Sequence, residues 1–307
     1  MRNLRASNVD GAVLQQRGIA GLNWLTQNLE HFSPWREGKL TDKGLQAFAE
    51  LSILYAHLEQ WKARSLCQQL SLDNSLVTWR KFILDHCEYQ PYAEVARKRP
   101  ALAIYFLLPY LMLRTGGYTS CYYEDTLRRL ERWGYPRATE VVPYRFMDQQ
   151  YFLWKSGYLS REPKWYKLYR DTILPHVRSS VYIDRDAAYS ITHTIFYLTD
   201  FGNRPAPLSE REIRRILDLV KSLLIHYWRL FNWDLVGELL VTLHCLGERD
   251  SFLSIAAAEA FLGAWRSDGA MPADRAGTAQ LNSVRGPERD ALIFYLCYHT
   301  TLVGVIY

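Results

Sequence analysis

Three equally spaced glycines constrain the fold of this 307-residue chain more than any other sequence feature. Gly157, Gly202 and Gly247 follow one another at intervals of 45 residues. A glycine after an apolar run commonly ends a helix. The fourteen-residue windows ending at these glycines share a leucine at the same place: YRFMDQQYFLWKSG, YSITHTIFYLTDFG and DLVGELLVTLHCLG. The spacing predicts a repeated helical hairpin, which cannot bury its apolar face without neighbouring copies.

The rest of the sequence predicts the same class of fold. Apolar residues recur at helical spacing, and alternating runs bounded by Asn-Gly or Asp-Gly turns are absent. We therefore predict an all-α protein forming a single domain over residues 1–307. Six hairpins fit the chain. We favour their closure into an α/α toroid, with an open HEAT-like solenoid as the alternative. Helices are expected at about 9–32, 41–70, 74–88, 99–115, 120–134, 143–156, 162–178, 185–201, 208–230, 233–246, 250–265 and 287–306.

Composition limits the classes of partner. The net charge is only +5, and the basic clusters lie among acidic residues at helix-surface spacing, so we expect no nucleic-acid partner. The most apolar run, residues 101–113, is too short to span a bilayer and contains Pro109. The five cysteines are scattered without a CxxC pair, which favours a reduced, cytoplasmic protein.

The predicted helix 185–201 carries an unusual polar stripe on an otherwise apolar segment. Asp186, Tyr189, His193, Tyr197 and Asp200 fall on one face at helical spacing. An imidazole changes charge near neutral pH, so His193 is the first candidate for a general acid or base. A hydrogen-bonded core histidine and packed tyrosines are the structural alternatives.

The repeat adds two carboxylates to this histidine. The ninth residue before the glycine is Asp148 in the first window, His193 in the second and Glu238 in the third. In a ring these side chains converge on the axis, and in a solenoid they line a concave face. A buried carboxylate needs a partner, so Glu238 implies His193, an arginine, a metal or water nearby.

Other polar residues complete the candidate site. We take the catalytic candidates to be Asp148, Tyr189, His193, Tyr197, Asp200 and Glu238. The substrate-binding candidates are Asp186, Asp234, Arg289 and Thr300. Because Asp234 stands where a helix begins, a structural cap is the alternative role for it.

A polar segment at about 266–286, rich in Gly, Ala and Ser, lies before the last predicted helix. Compact domains seldom keep so long an irregular loop without use, so we expect a flexible loop that acts as a substrate lid. A disordered surface insertion is the alternative.

Two short motifs resemble those of a known family. HCLG at 244–247 and CYH at 297–299 resemble the zinc motifs of lanthionine synthetase cyclase domains, which are α/α toroids. The resemblance implies that Cys245, Cys297 and His299 hold zinc and activate a thiol. The ligand spacing departs from those motifs because Tyr298 separates Cys297 from His299. The sequence therefore leaves the cofactor open, with zinc as the candidate.

A second resemblance covers most of the chain. AYSITHTIFYLTDFG at 188–202 and YHTTL at 298–302 resemble an uncharacterised actinobacterial family found beside natural-product genes. It marks His193, Asp200, His299 and Thr300 as motif residues.

These patterns lead to a functional hypothesis. We expect a natural-product biosynthesis enzyme, a cyclase that closes C–S rings of the lanthionine type in a modified peptide, or acts on a small organic substrate, by acid–base chemistry. The alternatives are a non-enzymatic helical-repeat module that binds a peptide or partner, and a terpenoid-like carbocation cyclase.

Overall fold

The computed structural model describes residues 11–64, 72–286 and 288–307, and within these ranges the protein is all-α, as predicted. Cys67 and the predicted end of the second helix lie outside the described residues. The helices are α1 Gly11–Gln27, α2 Asp42–Ala63, α3 Asp73–Glu88, α4 Gln90–Lys98, α5 Ala103–Thr115, α6 Cys121–Arg132, α7 Tyr135–Ala138, α8 Pro143–Lys155, α9 Trp165–Asp171, α10 Arg185–Thr199, α11 Glu210–Arg229, α12 Trp233–Cys245, α13 Phe252–Gly263, α14 Arg275–Ser283 and α15 Glu288–Ile306. Strands β1 (Trp35–Arg36) and β2 (Lys39–Leu40) form one small antiparallel hairpin, and 3₁₀ turns occupy Leu29–Phe32, Pro100–Leu102 and Ser180–Tyr182.

The chain divides into two compact units. The middle unit is Leu25–Pro163, and the terminal unit is Met1–Trp24 with Lys164–Tyr307. In the middle unit, α5 is the central helix, because it packs against α2, α3, α4 and α8. Residues 106–113 of this helix are buried without interruption, so its middle is apolar on all sides.

In the terminal unit, α12 has the corresponding central position. It packs against α10, α11, α13 and α15, and all but two of its residues are buried. The side chain of Asn232 accepts a hydrogen bond from the Leu235 amide and so caps the helix. Because Asn232 supplies the cap, Asp234 in the first turn is not needed for that role.

The helix-end signals in the sequence are confirmed. Gly157, Gly202 and Gly247 have φ values of 73°, 83° and 79°, the left-handed conformation that glycine adopts without strain after a helix. Ser209 and Glu212 form a reciprocal capping box at the start of α11.

Three local features differ from the sequence prediction. The hairpin at 35–40 turns through Glu37 and Gly38, both with positive φ, and so lacks the Asn-Gly or Asp-Gly signal. Helix α4 was not predicted; Gln90-Pro91 opens it, with proline in the favoured first turn. Helix α9 covers only 165–171 of the predicted 162–178.

The segment at 266–286 is not irregular throughout. Its second half forms α14, which Asp274 caps by accepting a hydrogen bond from the Gly277 amide at 2.6 Å. In its first half, Ala270 and Met271 are fully buried, and the Met271 amide donates to the Thr301 hydroxyl at 2.9 Å. The segment is thus less irregular than expected, while its flexibility and a lid function stay predictions.

Every helix in the described ranges is too short or too polar to cross a membrane. Ring closure and the single-domain organisation stay predictions.

Candidate active site

Two buried carboxylates on α12 define the candidate site in the terminal unit. Asp234 and Glu238 are one helical turn apart, and they contact side chains of α10 and α15. Tyr189 and Asp234 are 45 residues apart and share a hydrogen bond; His193 and Glu238 have the same separation and lie side by side. Residues at equivalent repeat positions on α10 and α12 therefore meet.

The Asp234 carboxylate is enclosed by three donors. The Tyr189 hydroxyl donates to Oδ2, while Nδ1 of His299 and the Thr300 hydroxyl each lie 2.7 Å from Oδ1. Burial acts to raise the pKa of this carboxyl, but the charge of His299 and the three hydrogen bonds outweigh burial and hold the pKa well below its ordinary range. Asp234 is therefore a carboxylate at neutral pH, with its oxygens engaged in orienting neighbours.

His299 has a defined tautomer for this reason. A carboxylate only accepts hydrogen bonds, so Nδ1 of His299 carries the proton that faces Asp234. Nε2 is then the nitrogen that gains and loses a proton, and it lies 3.9 Å from Oε1 of Glu238. The side chain is 27% exposed, so solvent reaches the imidazole.

His193 is held in the same way by a different acceptor. Its Nδ1 lies 2.8 Å from the carbonyl oxygen of Tyr189, which accepts the Nδ1 proton. The ring is 22% exposed, and Nδ1 is 3.6 Å from Oε2 of Glu238. Both imidazoles thus use Nδ1 for positioning, and in the neutral ring the lone pair is then on Nε2.

Glu238 lies between the two imidazoles and is only 2% exposed. Its Oε2 accepts a hydrogen bond from the Thr192 hydroxyl. A carboxylate in this place can stabilise positive charge on either ring, because opposite charges attract strongly where water is excluded. We call Asp234, Glu238, His193 and His299 the histidine–carboxylate cluster.

Tyr189 links the cluster to an exposed arginine. Burial, followed by the negative charge and hydrogen bond of Asp234, raises the pKa of the Tyr189 phenol well above its ordinary value, so the phenol stays protonated. Arg185, one turn earlier on α10, donates to the phenol oxygen at 3.4 Å. Its guanidinium also lies over the Tyr189 ring, 5.6 Å from the centroid.

Some predicted site residues of α10 have other roles. Tyr197 is buried, and its ring is 6.1 Å from that of His193, so it packs beside the cluster. Asp186 is exposed in the first turn, and its negative charge contributes to raising the pKa of Tyr227. Asp200 ends the helix with φ 49°, seven residues and about 10 Å of helical rise beyond His193.

Two further candidates lie elsewhere. Asp148 is on α8 in the middle unit, where Nη1 of Arg145 lies 3.3 Å from its carboxylate. Its convergence with His193 and Glu238 stays a prediction. Arg289 is exposed in the first turn of α15, about 15 Å of helical rise from His299, and so lies away from the cluster.

The structure does not assemble the proposed zinc ligands. Among the described residues, no group of three or more His, Cys, Asp or Glu side chains is arranged to hold a metal ion. Cys297 and His299 are two residues apart on the continuous helix α15, so their side chains diverge by about 200°. Cys245 lies at the far end of α12, about two turns beyond Glu238.

Sequence reasoning missed three features of the site. It assigned His299 to a metal and Asp234 to substrate binding, whereas the two form a dyad. It also omitted Thr192 and Arg185. Helical spacing contained a signal for the last, because Arg185 precedes Tyr189 by four residues. No local pattern pairs positions 234 and 299, which are 65 residues apart.

A helical protein with two oriented imidazoles around a buried carboxylate has the groups that general acid–base catalysis uses. The chain belongs to a family described as Domain of unknown function (DUF6895), whose model matches residues 19–307. No curated protein and no solved structure matches it.

Proposed function

We propose that this protein is an enzyme that transfers protons on its substrate, with His299 and His193 as the acid–base pair. The observation that carries the proposal is the orientation of both rings: each Nδ1 is occupied by an acceptor, and each ring is partly exposed.

The residues around the imidazoles have supporting roles in this proposal. Asp234 orients His299 and stabilises the imidazolium that forms when Nε2 takes a proton. Glu238 stabilises positive charge on either ring. Tyr189 and Thr300 hold the Asp234 carboxylate, and Thr192 holds Glu238.

The specific reaction we propose is C–S ring closure in a dehydrated peptide. Nε2 of His299 takes the proton of a substrate thiol, and the thiolate sulfur bonds to the β-carbon of a dehydroamino acid. The double-bond electrons move to the α-carbon, which takes a proton from His193 in its imidazolium form. One S–H and one C=C π bond are lost, and one C–S and one C–H bond form. This version needs no metal.

Ring closure is measurable with a defined probe. A synthetic peptide with one cysteine and one dehydroalanine is incubated with the protein and then treated with N-ethylmaleimide. Cyclisation leaves the mass of the peptide unchanged but removes the thiol. With the wild type, the alkylatable thiol should therefore disappear faster than in the uncatalysed reaction. His299→Asn should leave the thiol free, and His176→Asn, at an exposed histidine, should behave as wild type. Full alkylation of the peptide after incubation with the wild type rejects ring closure for this peptide class.

The acid–base proposal has a substrate-free test. In protein labelled with ¹⁵N-histidine, long-range ¹H–¹⁵N couplings identify the protonated ring nitrogen. At pH 8 we expect the Nδ1–H tautomer for His193 and His299. The Nε2–H tautomer at either ring contradicts the proposed orientation. In Asp234→Asn the preference at His299 should be lost, whereas that at His193 should persist.

We also propose that the protein works in a reducing compartment such as the cytoplasm. The described cysteines, Cys87, Cys121, Cys245 and Cys297, are all free thiols, which supports this location.

A further inference from the structure

Two exposed arginines lie near the histidine–carboxylate cluster in the sequence of contacts around α12. Arg185 opens α10, and its guanidinium interacts electrostatically with Asp234 and Asp274. Arg275 follows Asp274 and opens α14. In the described part of the chain, neither guanidinium has a carboxylate within ion-pair distance, whereas Arg97, Arg114 and Arg145 do.

The backbone fastens the Arg275 segment beside the start of α12. Asn232 and Asp274 form an isolated antiparallel bridge, and the Asp234 amide donates to the carbonyl of Ala273 at 3.0 Å. Asp234, which orients His299, is therefore joined by a backbone hydrogen bond to the segment that leads into Arg275. This connection places the backbone at Arg275 near the start of α12.

Aromatic rings hold both guanidiniums. Arg275 lies over the Phe231 ring, 5.4 Å from the centroid, as Arg185 lies over Tyr189. Phe231 has φ 53°, the left-handed conformation that often follows the end of a helix. The stacking limits the motion of the arginine side chains and leaves their N–H groups available.

The acids next to these arginines in sequence are not within ion-pair distance of them. Asp274 accepts from the Gly277 amide and Asp184 accepts from the Ala187 amide, so each is engaged in capping a helix. Two arginines without an ion-pair contact, beside a site for proton transfer, fit a ligand that supplies the missing negative charge.

We propose that Arg185 and Arg275 bind an anionic group of the substrate, a carboxylate or a phosphate, near the histidine–carboxylate cluster. This inference rests on the proposed function for its reference to a substrate. It adds the chemical class of the group that is recognised. For a peptide substrate, the group is an acidic side chain or a carboxyl terminus.

Calorimetric titration of the full chain tests this site with two probes, inorganic phosphate and malonate, which separate phosphate from carboxylate recognition. We expect the wild type to bind at least one of them. Arg185→Gln and Arg275→Gln should each weaken that binding about tenfold, because charge-assisted hydrogen bonds are lost. The double variant should show no binding. Arg211→Gln, which removes an exposed charge on α11 of the same unit, should bind as the wild type does.

Three results overturn the inference: no binding of either probe, undiminished binding by the double variant, or an equal loss in Arg211→Gln. Circular dichroism confirms that each variant is folded. Anion binding by His299→Asn separates the two proposals. If His299→Asn and the wild type bind the anion alike but neither turns over a substrate, the proposed function fails and the anion site stands. If the wild type turns over a substrate but binds neither anion, the proposed function stands and the anion site fails.

Discussion

Both compact units hold a partly or fully buried carboxylate at their central helix, but they neutralise it with different cations. In the middle unit, Glu124 accepts hydrogen bonds from Tyr110 and from Nε of Arg114, at 2.7 Å for the latter. In the terminal unit, Asp234 accepts from Tyr189 and His299. Each arrangement is therefore a tyrosine, a carboxylate and a cation.

The difference between arginine and histidine separates structure from chemistry. A guanidinium keeps its proton at every physiological pH, so Arg114 can only hold Glu124 in place. An imidazole exchanges its proton near neutral pH, so His299 can pass it to a substrate. In both units burial acts to raise the pKa of the carboxyl, and hydrogen bonds and the cation outweigh burial and lower it. The pKa values of the two carboxyls are thus shifted in the same direction. The cation decides whether the group serves structure or proton transfer.

The largest expected effect is on activity. Replacing His299 by asparagine should lower turnover in the ring-closure assay by about 10²- to 10⁴-fold, the usual contribution of a general acid or base. Folding should change little, because the ring is partly exposed and asparagine still donates toward Asp234. Turnover close to that of the wild type would show that the terminal unit uses its cation only for structure, as the middle unit does.

The converse change in the middle unit should affect stability alone. Arg114→Met leaves the partly buried Glu124 carboxylate without its cation and frees the Ser156 carbonyl that Arg114 also binds. We expect the free energy of unfolding to fall by about 3 kcal/mol in chemical denaturation.

Arg129→Met is the matched control for this change. Arg129 pairs with Asp125 on the exposed face of α6, so its loss should cost about 0.5 kcal/mol or less. Equal losses in Arg114→Met and Arg129→Met would show that the Arg114 pair has no special structural weight.

A packing change in the terminal unit should have a smaller effect. A Cβ on Gly21 of α1 would lie 2.9 Å from Trp265, so Gly21→Ala should cost about 2 kcal/mol through overpacking. Gly18→Ala on the same helix meets nothing within 4 Å and should stabilise by about 0.5 to 1 kcal/mol through helix propensity. Thermal unfolding measures both. Similar shifts in the two variants would contradict the close contact.

The repeat explains how much of this could be predicted from the sequence. Equal glycine spacing predicted the ends of α8, α10 and α12, and equivalence at 45 residues predicted that His193 and Glu238 share a site. The repeat also predicted that Asp148 converges with these two residues. Asp148 belongs to the other compact unit, so this convergence stays a prediction.

The sequence did not predict that α15 contributes His299 to the pairing with Asp234. His299 follows Asp234 by 65 residues rather than 45, so the repeat spacing gives no register for it. The motif at 297–299 also directed attention to Cys297, although a cysteine and a histidine two apart on one helix face different ways. Partners that meet only through the packing of α12 on α15 require the tertiary structure.

The smallest expected effect concerns stability at acid pH, and it tests whether the two carboxylates are truly alike. A carboxyl whose pKa is lower in the folded state contributes its full stabilisation above its unfolded pKa, which is about 4, and loses it as the pH falls through the folded value. The wild type should therefore lose stability more steeply below pH 4 than Asp234→Asn does. Glu124→Gln should reduce the steepness in the same direction, because the pKa of Glu124 is also lowered. Denaturation by guanidinium chloride from pH 2.5 to 7 measures the slopes. If only one variant flattens the acid limb, the carboxylates themselves differ, and the contrast between the units cannot be assigned to arginine and histidine alone.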